Sequence, residues 1–340
     1  MGTIETEGEL EDLLSEPTPA VVSALGRLTG DIVILGVSGK MGPTLARMAR
    51  RASDSAGVNR RVIGVARFSS GNEVRLQANG IETVRCDLLS EGDVARLPDA
   101  PNVIFMTGMK FGTAGDAART WAMNSFMPGL VCRRYRRSRI VAFSTGNVYG
   151  LSSVERGGSC ESDRCQPVGE YAMSSLGRER LFEYFGRSLE IPTVIIRLNY
   201  AGELRYGVLV DVAQRVFTGA PIDLGMGYFN TIWQGDANAM ALCAFDAAAV
   251  PPCVVNVTGP EQLSIRTVAE QFGRLMNRPV TFTGTELPTA LLSNARRGLA
   301  LWGSPRVSAA QMIEWIANWV SHRHTTLGKP THFDSREGNF

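Results

Sequence analysis

Two stretches of this 340-residue chain hold residue types whose spacing suits chemistry. The first is Gly36-Val-Ser-Gly-Lys-Met-Gly42, set between the apolar run Ile32-Val-Ile-Leu35 and the helix-like Thr44–Arg50. A buried parallel strand that turns tightly into a helix aims several backbone N–H groups at one point. The positive end of the helix dipole adds to them, and a pyrophosphate fits there. Gly36 permits the turn, Gly39 lets the backbone approach the phosphates, and Gly42 lets helix and strand pack closely; Ser38, Lys40 and Met41 complete the cofactor-binding loop. The second stretch is Phe143-Ser-Thr-Gly-Asn-Val-Tyr-Gly150, followed by Tyr171. A hydroxyl at a strand's carboxyl end, with a tyrosine opening the next helix, suits removal of a proton from an alcohol while hydride leaves for a nicotinamide. The tyrosine acts as acid/base and the hydroxyl holds the substrate oxygen.

Other positions suit the same cofactor. Arg67 ends Val62-Ile-Gly-Val-Ala-Arg67, where an acidic residue would favour NAD by binding free ribose hydroxyls and an arginine grips a 2′-phosphate instead. No Asp or Glu lies between Arg61 and Asn72, and Ser69, Ser70 and Asn72 add donors, so NADP is favoured over NAD. The bland alternative is an exposed loop arginine. Asp87-Leu88 follows the third apolar run, where a carboxylate accepts from an adenine amino group. Thr107-Gly108 closes the fourth, where small residues let the cofactor lie close.

The elements that must position these groups alternate. Strands are expected at 32–35, 62–65, 82–85, 103–107, 139–144, 193–198 and 253–257, with helices between them at 43–52, 115–135 and 170–189. That rhythm predicts an α/β fold, a doubly wound parallel sheet covered on both faces. Residues 1–29 read as an acidic extension, frayed to residue 17 and then a short helix opened by Thr18-Pro19. Residues 30–200 read as the dinucleotide-binding domain, joined by the strand near 253–257. Residues 201–325 read mostly as a smaller substrate lobe and 326–340 as a polar tail, which Phe333 and Phe340 can anchor.

Composition excludes several classes. The 35 basic and 33 acidic side chains balance, which gives no pull toward nucleic acid or membrane. The run Arg133–Arg137 ends a helix just before a strand, where cations suit the dipole. No apolar run is long enough to span a bilayer, and the acidic opening is unlike a signal peptide, so a cytoplasmic location is expected. The six cysteines lack paired zinc spacing and read as reduced thiols. The three histidines, at 322, 324 and 332, leave the body of the chain without a histidine base or ligand, and no metal is expected.

The chain resembles the extended short-chain dehydrogenase/reductases, the NAD(P)-dependent epimerases and dehydratases of nucleotide sugars. The likeness covers about residues 31–275. It rests on Gly36-x-x-Gly39-x-x-Gly42, Asp87-Leu88, Asn124, Ser144-Thr145-x-x-Val148-Tyr149-Gly150, Tyr171, Arg197-Leu-Asn-Tyr200 and Asp236. It implies a Rossmann fold, with Thr145 as the catalytic hydroxyl, Ser144 as its understudy and Tyr171 as acid/base. It further implies Asn199 and Ser175 at the cofactor, a substrate set of Asn147, Tyr200, Tyr228 and Trp233, and homodimers built on the helices near 115–135 and 170–189.

Two departures stand against that pattern. The family's tyrosine is followed four residues later by a lysine, and here the sequence is Tyr171-Ala-Met-Ser-Ser175. Positions i and i+4 share a helix face, so a serine sits where an ammonium is expected. A phenol with no neighbouring cation is only roughly a thousandth ionised at neutral pH, a cost of about 4 kcal/mol where the phenolate is needed. Arg178, two turns on, either leans back toward Ser175 or pairs with a surface glutamate. The second departure is the missing diphosphate-clamping arginine, whose place falls on Phe229 or Asn230; Arg205 and Arg215 are candidate substitutes. A substrate without a diphosphate is the simpler expectation, with Tyr228, Phe229 and Trp233 either forming an apolar or sugar-stacking wall or serving as ordinary core. The expected function is oxidation or epimerisation of a secondary alcohol on a sugar-like or polyol substrate. The alternative is a non-catalytic NADP(H)-binding sensor or scaffold.

Overall fold

The apolar tetrapeptide Ile32–Leu35 is buried along its whole length and forms β1 of a seven-stranded sheet. In the computed structural model, which describes residues 3–69, 71–110, 112 and 115–338, the others are β2 (Val62–Ala66), β3 (Glu82–Arg85), β4 (Asn102–Phe105), β5 (Arg139–Thr145), β6 (Thr193–Leu198) and β7 (Cys253–Val257). Every pairing is parallel, in the order β7-β6-β5-β4-β1-β2-β3. This is the doubly wound Rossmann topology, with the strand order reversing between β1 and β4.

Side chains alternate across the sheet, so each strand feeds two cores. Ile32 and Ile34 face the layer of α2 (Pro19–Arg27), α3 (Gly42–Ser55) and a later helix, Gln234–Cys243. Val33 and Leu35 face the opposite layer, formed by Glu91–Ala95, the helix ending at Arg134, and Gly169–Ser188. In chain order the remaining helices are α1 (Glu7–Leu14), α4 (Glu73–Ala78), α5 (Glu91–Ala95), α6 (Ala117–Trp121), α7 (Met127–Arg134), α8 (Gly169–Ser188), α9 (Val208–Thr218), α10 (Gln234–Cys243), α11 (Ile265–Met276), α12 (Arg296–Trp302) and α13 (Ala309–Ser321).

A second lobe has its own core, drawn from α1, α9, α11, α13 and Phe333. The acidic lead is not frayed up to residue 17. Thr6 and Glu9 form a capping box, and α1 buries Leu10 and Leu14. Helix α10 lies after residue 200 yet packs on the sheet side, since its buried Ala237, Met240, Ala241 and Leu242 belong to that core. The C-terminal segment is no loose tail either: Phe333 is 1 % exposed. Phe340 and Ser70 lie outside the described residues. No helix is long and apolar enough to cross a membrane among the described residues.

Candidate active site

The candidate groups gather around the carboxyl ends of the strands. After β1, Gly36 adopts φ +92, a conformation glycine tolerates, and a Cβ there would approach Thr107 Oγ1 to 2.6 Å. A Cβ on Gly42 would collide with the carbonyl of Val37, so this glycine sets the strand–helix approach. Gly36, Ser38, Gly39, Arg67, Ser69, Asp87, Leu88, Thr107 and Gly108 line one groove of about 250 Å³. Asp87 is the one carboxylate among its described lining residues, and Arg67 stands exposed at its mouth. Ser38 Oγ donates to Asn72 Oδ1 at 3.0 Å, which ties down the loop opposite Arg67.

Met41 and Lys40 are not part of that groove. Met41 is buried at the start of α3 in the sheet core. Lys40 turns the other way, into a second and smaller cleft of about 130 Å³. There it meets Ser144, Thr145, Asn147, Tyr171, Tyr200, Tyr206, Thr331 and Lys110. Its Nζ donates to Ala201 O at 3.0 Å and lies 3.5 Å from the centre of the Tyr206 ring. Burial pulls its pKa down to about 7. Lys110 follows β4; its Nζ is 6.0 Å from the ring centres of both Tyr171 and Tyr200, and burial lowers its pKa to about 8.

The hydroxyls divide their work. Ser144 Oγ donates to Glu179 Oε1 at 2.5 Å, and that carboxylate is gripped by Arg197 at 2.7 Å. Ser144 therefore serves a buried ion pair. Thr145 Oγ1 accepts from the backbone N–H of Asn147 at 3.2 Å and donates to Asn147 Oδ1 at 3.0 Å, at the wall of the cleft that holds Tyr171. Tyr200 has its hydroxyl buried without a partner, and burial pushes its pKa up.

Asn124 organises the region between the two clefts. It lies in a π-helical turn, Ala122–Phe126, that joins α6 to α7. Its side chain accepts from Met109 N at 2.8 Å and donates to Met109 O at 3.0 Å and Ser174 Oγ at 2.9 Å. The loop carrying Gly108 and Lys110 is thus held from both sides. Asn124 Oδ1 also accepts from Arg178 Nη2 at 2.7 Å, while Arg178 Nη1 donates to Phe143 O at 2.9 Å. Arg178 is no surface residue paired with a glutamate; among the described residues it forms no ion pair and is 6 % exposed. Burial lowers its pKa, and negative charge on Tyr171 is the leading influence that raises it. Ser175 Oγ and Thr107 Oγ1 are buried polar atoms without partners, one on α8 and one beside Gly36. Both are suited to take a cofactor's hydroxyls.

The profile of the NAD-dependent epimerase/dehydratase family matches residues 32–216. The chain belongs to that family. Among solved structures of the same fold is UDP-glucuronic acid 4-epimerase from Bacillus cereus in complex with UDP-glucuronic acid and NAD. It is 19 % identical with TM-score 0.72, covering 86 % of this chain and 99 % of that one. UDP-glucose 4-epimerase from Thermotoga maritima is 15 % identical with TM-score 0.71, over 86 % and 99 %. dTDP-glucose 4,6-dehydratase from Bacillus anthracis, in complex with NAD, is 14 % identical with TM-score 0.70, over 87 % and 97 %. No curated protein matches in sequence.

Several residues expected at the site are elsewhere in this epimerase/dehydratase-family chain. Trp233 is fully buried and packs edge-on against Trp315 at 5.6 Å, and Phe229 lies in the same second-lobe core. Their bulk fills that lobe. Tyr228 pairs on a two-residue ribbon with Ser264, packs on the small cluster of Met226 and Leu291, and is not among the residues lining the cleft. Asn199 donates to Asn230 Oδ1 at 2.7 Å, and Asn230 donates to Ser293 O at 2.6 Å, so both amides are consumed in a buried network. Arg205 is held by Glu203 and Glu11, and Arg215 by Asp334 at 2.7 Å. Asp236 pins Val307 N at 3.0 Å and Arg306 Nε at 3.1 Å. Lys110, Tyr206 and Thr331 also line the cleft and belong to no motif. A signal was present: Lys40, Lys110 and Lys329 are the only lysines among the 35 basic residues.

Proposed function

We propose that the protein is an NAD(P)-dependent oxidoreductase or epimerase acting on a secondary alcohol of a sugar-like substrate. The observation that carries this reading is the meeting of Thr145 and Tyr171 in one cleft, built on the same β1 and β4 loops that line the dinucleotide groove. Gly36, Ser38, Gly39, Arg67, Asp87, Thr107, Gly108 and Ser175 would hold the cofactor, which supplies the hydride acceptor. Thr145 holds the substrate oxygen, and Tyr171 exchanges its proton. Arg178 supplies the positive charge that Ser175 lacks, from one turn further along α8. An exposed arginine and a groove with a single acid favour NADP over NAD, although related structures hold NAD. Direct titration with both dinucleotides checks that choice.

Trp121, Phe126, Met173 and Tyr184 leave an apolar face on α6, the π turn and α8, with Tyr184 64 % exposed. A second copy of the chain would bury it, which favours a homodimer.

Tyr171→Phe tests the chemistry. With NADP+ or NAD+ and a panel of sugars and polyols, the variant is expected to lose about 100-fold or more in kcat while binding cofactor as before. Unchanged turnover would remove Tyr171 from the mechanism.

A further inference from the structure

The small cleft has an uneven chemical lining. Its described lining residues include two ammonium groups, Lys40 and Lys110, hydroxyls and amides from Thr145, Asn147, Tyr171 and Tyr200, and no carboxylate. The nearest acids are engaged: Glu203 accepts from Arg205 N at 2.8 Å, and Asp211 accepts from Thr331 N at 2.8 Å and Thr331 Oγ1 at 2.5 Å. The third lysine of the chain, Lys329, adds its field to Lys40. A chain that otherwise relies on arginine therefore places two of its three lysines in the lining of one cleft. Lysine is a compact point charge, suited to a small anion in a confined space, where the planar guanidinium fork is not.

Size points the same way. The cleft holds about 130 Å³, far below the roughly 300–1,000 Å³ of sites for drug-sized ligands. It is roofed by the C-terminal segment. Leu327 N donates to Arg205 O at 3.0 Å, and Lys110 Nζ reaches Thr331 O at 3.5 Å. Arg336 Nη1 donates to Gly225 O at 2.9 Å and Thr289 O at 2.7 Å. Gly338 then packs on Gly169, two residues before Tyr171, where a Cβ on Gly169 would lie 2.5 Å from Gly338 O. The segment thus spans from the second lobe to the first turn of α8. No side chain is free at Asn230, Arg205 or Arg215 to grip a diphosphate.

We propose that the substrate is a small polyhydroxylated carboxylic acid, of aldonic or uronic type and without a nucleotide, whose carboxylate lies between Lys40 and Lys110. This rests on the alcohol-oxidising or epimerising reading above and names its substrate class. An anion entering the cleft returns to both lysines the charge stabilisation that burial withholds. Its hydroxyls meet Thr145, Asn147 and Tyr171.

Binding tests the proposal without requiring turnover, so its failure is distinct from failure of the Tyr171 chemistry. Calorimetry of the NADP+-loaded protein with gluconate, galactonate, glucuronate, sorbitol, glucose and UDP-glucose is expected to show at least one of the acids bound. That acid should bind at least about tenfold more tightly than its neutral counterpart and than UDP-glucose. Lys110→Met and Lys40→Met should each weaken the acid about tenfold or more, and Lys110→Arg should restore part of the loss; thermal melts confirm folding. Acid affinity should also fall between pH 7 and pH 9 as the two amines lose their protons, and should stay flat in the double Met variant. Tyr171, Tyr200 and Tyr206 also line the cleft, Glu203, Asp211 and Lys329 act on Lys40 from outside its lining, and the double variant separates the lysines from them. Failure of all three acids to bind, equal binding of acid and neutral polyol, or tighter binding of UDP-glucose overturns the proposal.

Discussion

Arg178 and Glu179 are neighbours on one helix with opposite bargains with the interior. Glu179 meets Arg197 in a buried ion pair, 0 % and 4 % exposed at the side chains, and also accepts from Ser144. Removing one partner leaves a buried charge without compensation. Glu179→Gln is therefore expected to destabilise the fold by about 3–5 kcal/mol, read as a lowered unfolding midpoint in urea. Arg178 has only carbonyl and amide oxygens for its guanidinium, so it is held at a solvation cost that its bonds only partly offset. In the proposed reaction the group that would gain from this charge is Tyr171, whose phenolate a neighbouring cation favours. Interaction worth one pKa unit, about 1.4 kcal/mol, is about tenfold in population. Arg178→Met is therefore expected to cut kcat about 10-fold or more at neutral pH. Arg178→Lys, which keeps a charge, should recover part of that loss. A merely structural role would lower stability and leave kcat of the folded protein where it was.

The β1–α3 turn separates two duties among its glycines. Gly39 is tight but not filled: a Cβ there would approach only Gly36 O, at 3.3 Å, where Gly39 lines the candidate dinucleotide groove. Gly42 has no room, because its Cβ position is filled by the Val37 carbonyl. Gly39→Ala should therefore keep its melting temperature within a few degrees while cofactor Kd rises at least about tenfold, whereas Gly42→Ala should lose about 1–3 kcal/mol of stability. Paired calorimetry and thermal melts distinguish them. This turn also shows why the sheet was legible. Strands buried on both faces read as unbroken apolar runs, and all seven appear within about two residues of where the sequence puts them. That Thr145 and Tyr171 meet in one cleft could be read, because a motif fixes one to a strand end and the other to a helix start. The substrate side could not. Trp233 and Tyr228 are aromatics whose burial depends on which lobe closes over them, and nothing local to their segment decides that. Lys110 is placed by a tertiary hold, the Asn124 clamp on Met109, 15 residues away in the chain. The cleft's lining is thus a property of how the loops meet.

Both chain ends converge on the second lobe. Arg205 binds Glu11 at 3.0 Å and Glu7 at 3.6 Å on α1, and its carbonyl accepts from Leu327 in the C-terminal segment. Thr325 Oγ1 in turn donates to Glu7. Among its described residues the terminal stretch has no helix or strand of its own, so its position depends on anchors at Thr331, Asp334, Arg336 and above all Phe333, whose ring is buried in the lobe core with Arg215 5.3 Å away. A buried phenylalanine normally costs about 3–5 kcal/mol to truncate. Here the chain can detach instead of holding a cavity open, which caps the loss at what the segment itself contributes. Phe333→Ala should therefore leave the two cores folded, with a melting temperature only a few degrees lower, while the anchored amides lose protection. Hydrogen exchange at the Leu327 and Thr331 amides, which donate to Arg205 O and Asp211, is expected to rise sharply. Amides of β1 and β4 should stay as slow as in the parent protein. Because Thr331 contributes its carbonyl to the roof above Lys110, the same substitution should raise KM for a small substrate with less effect on cofactor Kd. A uniform rise in exchange across the sheet would mean that the segment supports the whole fold rather than closing one cleft.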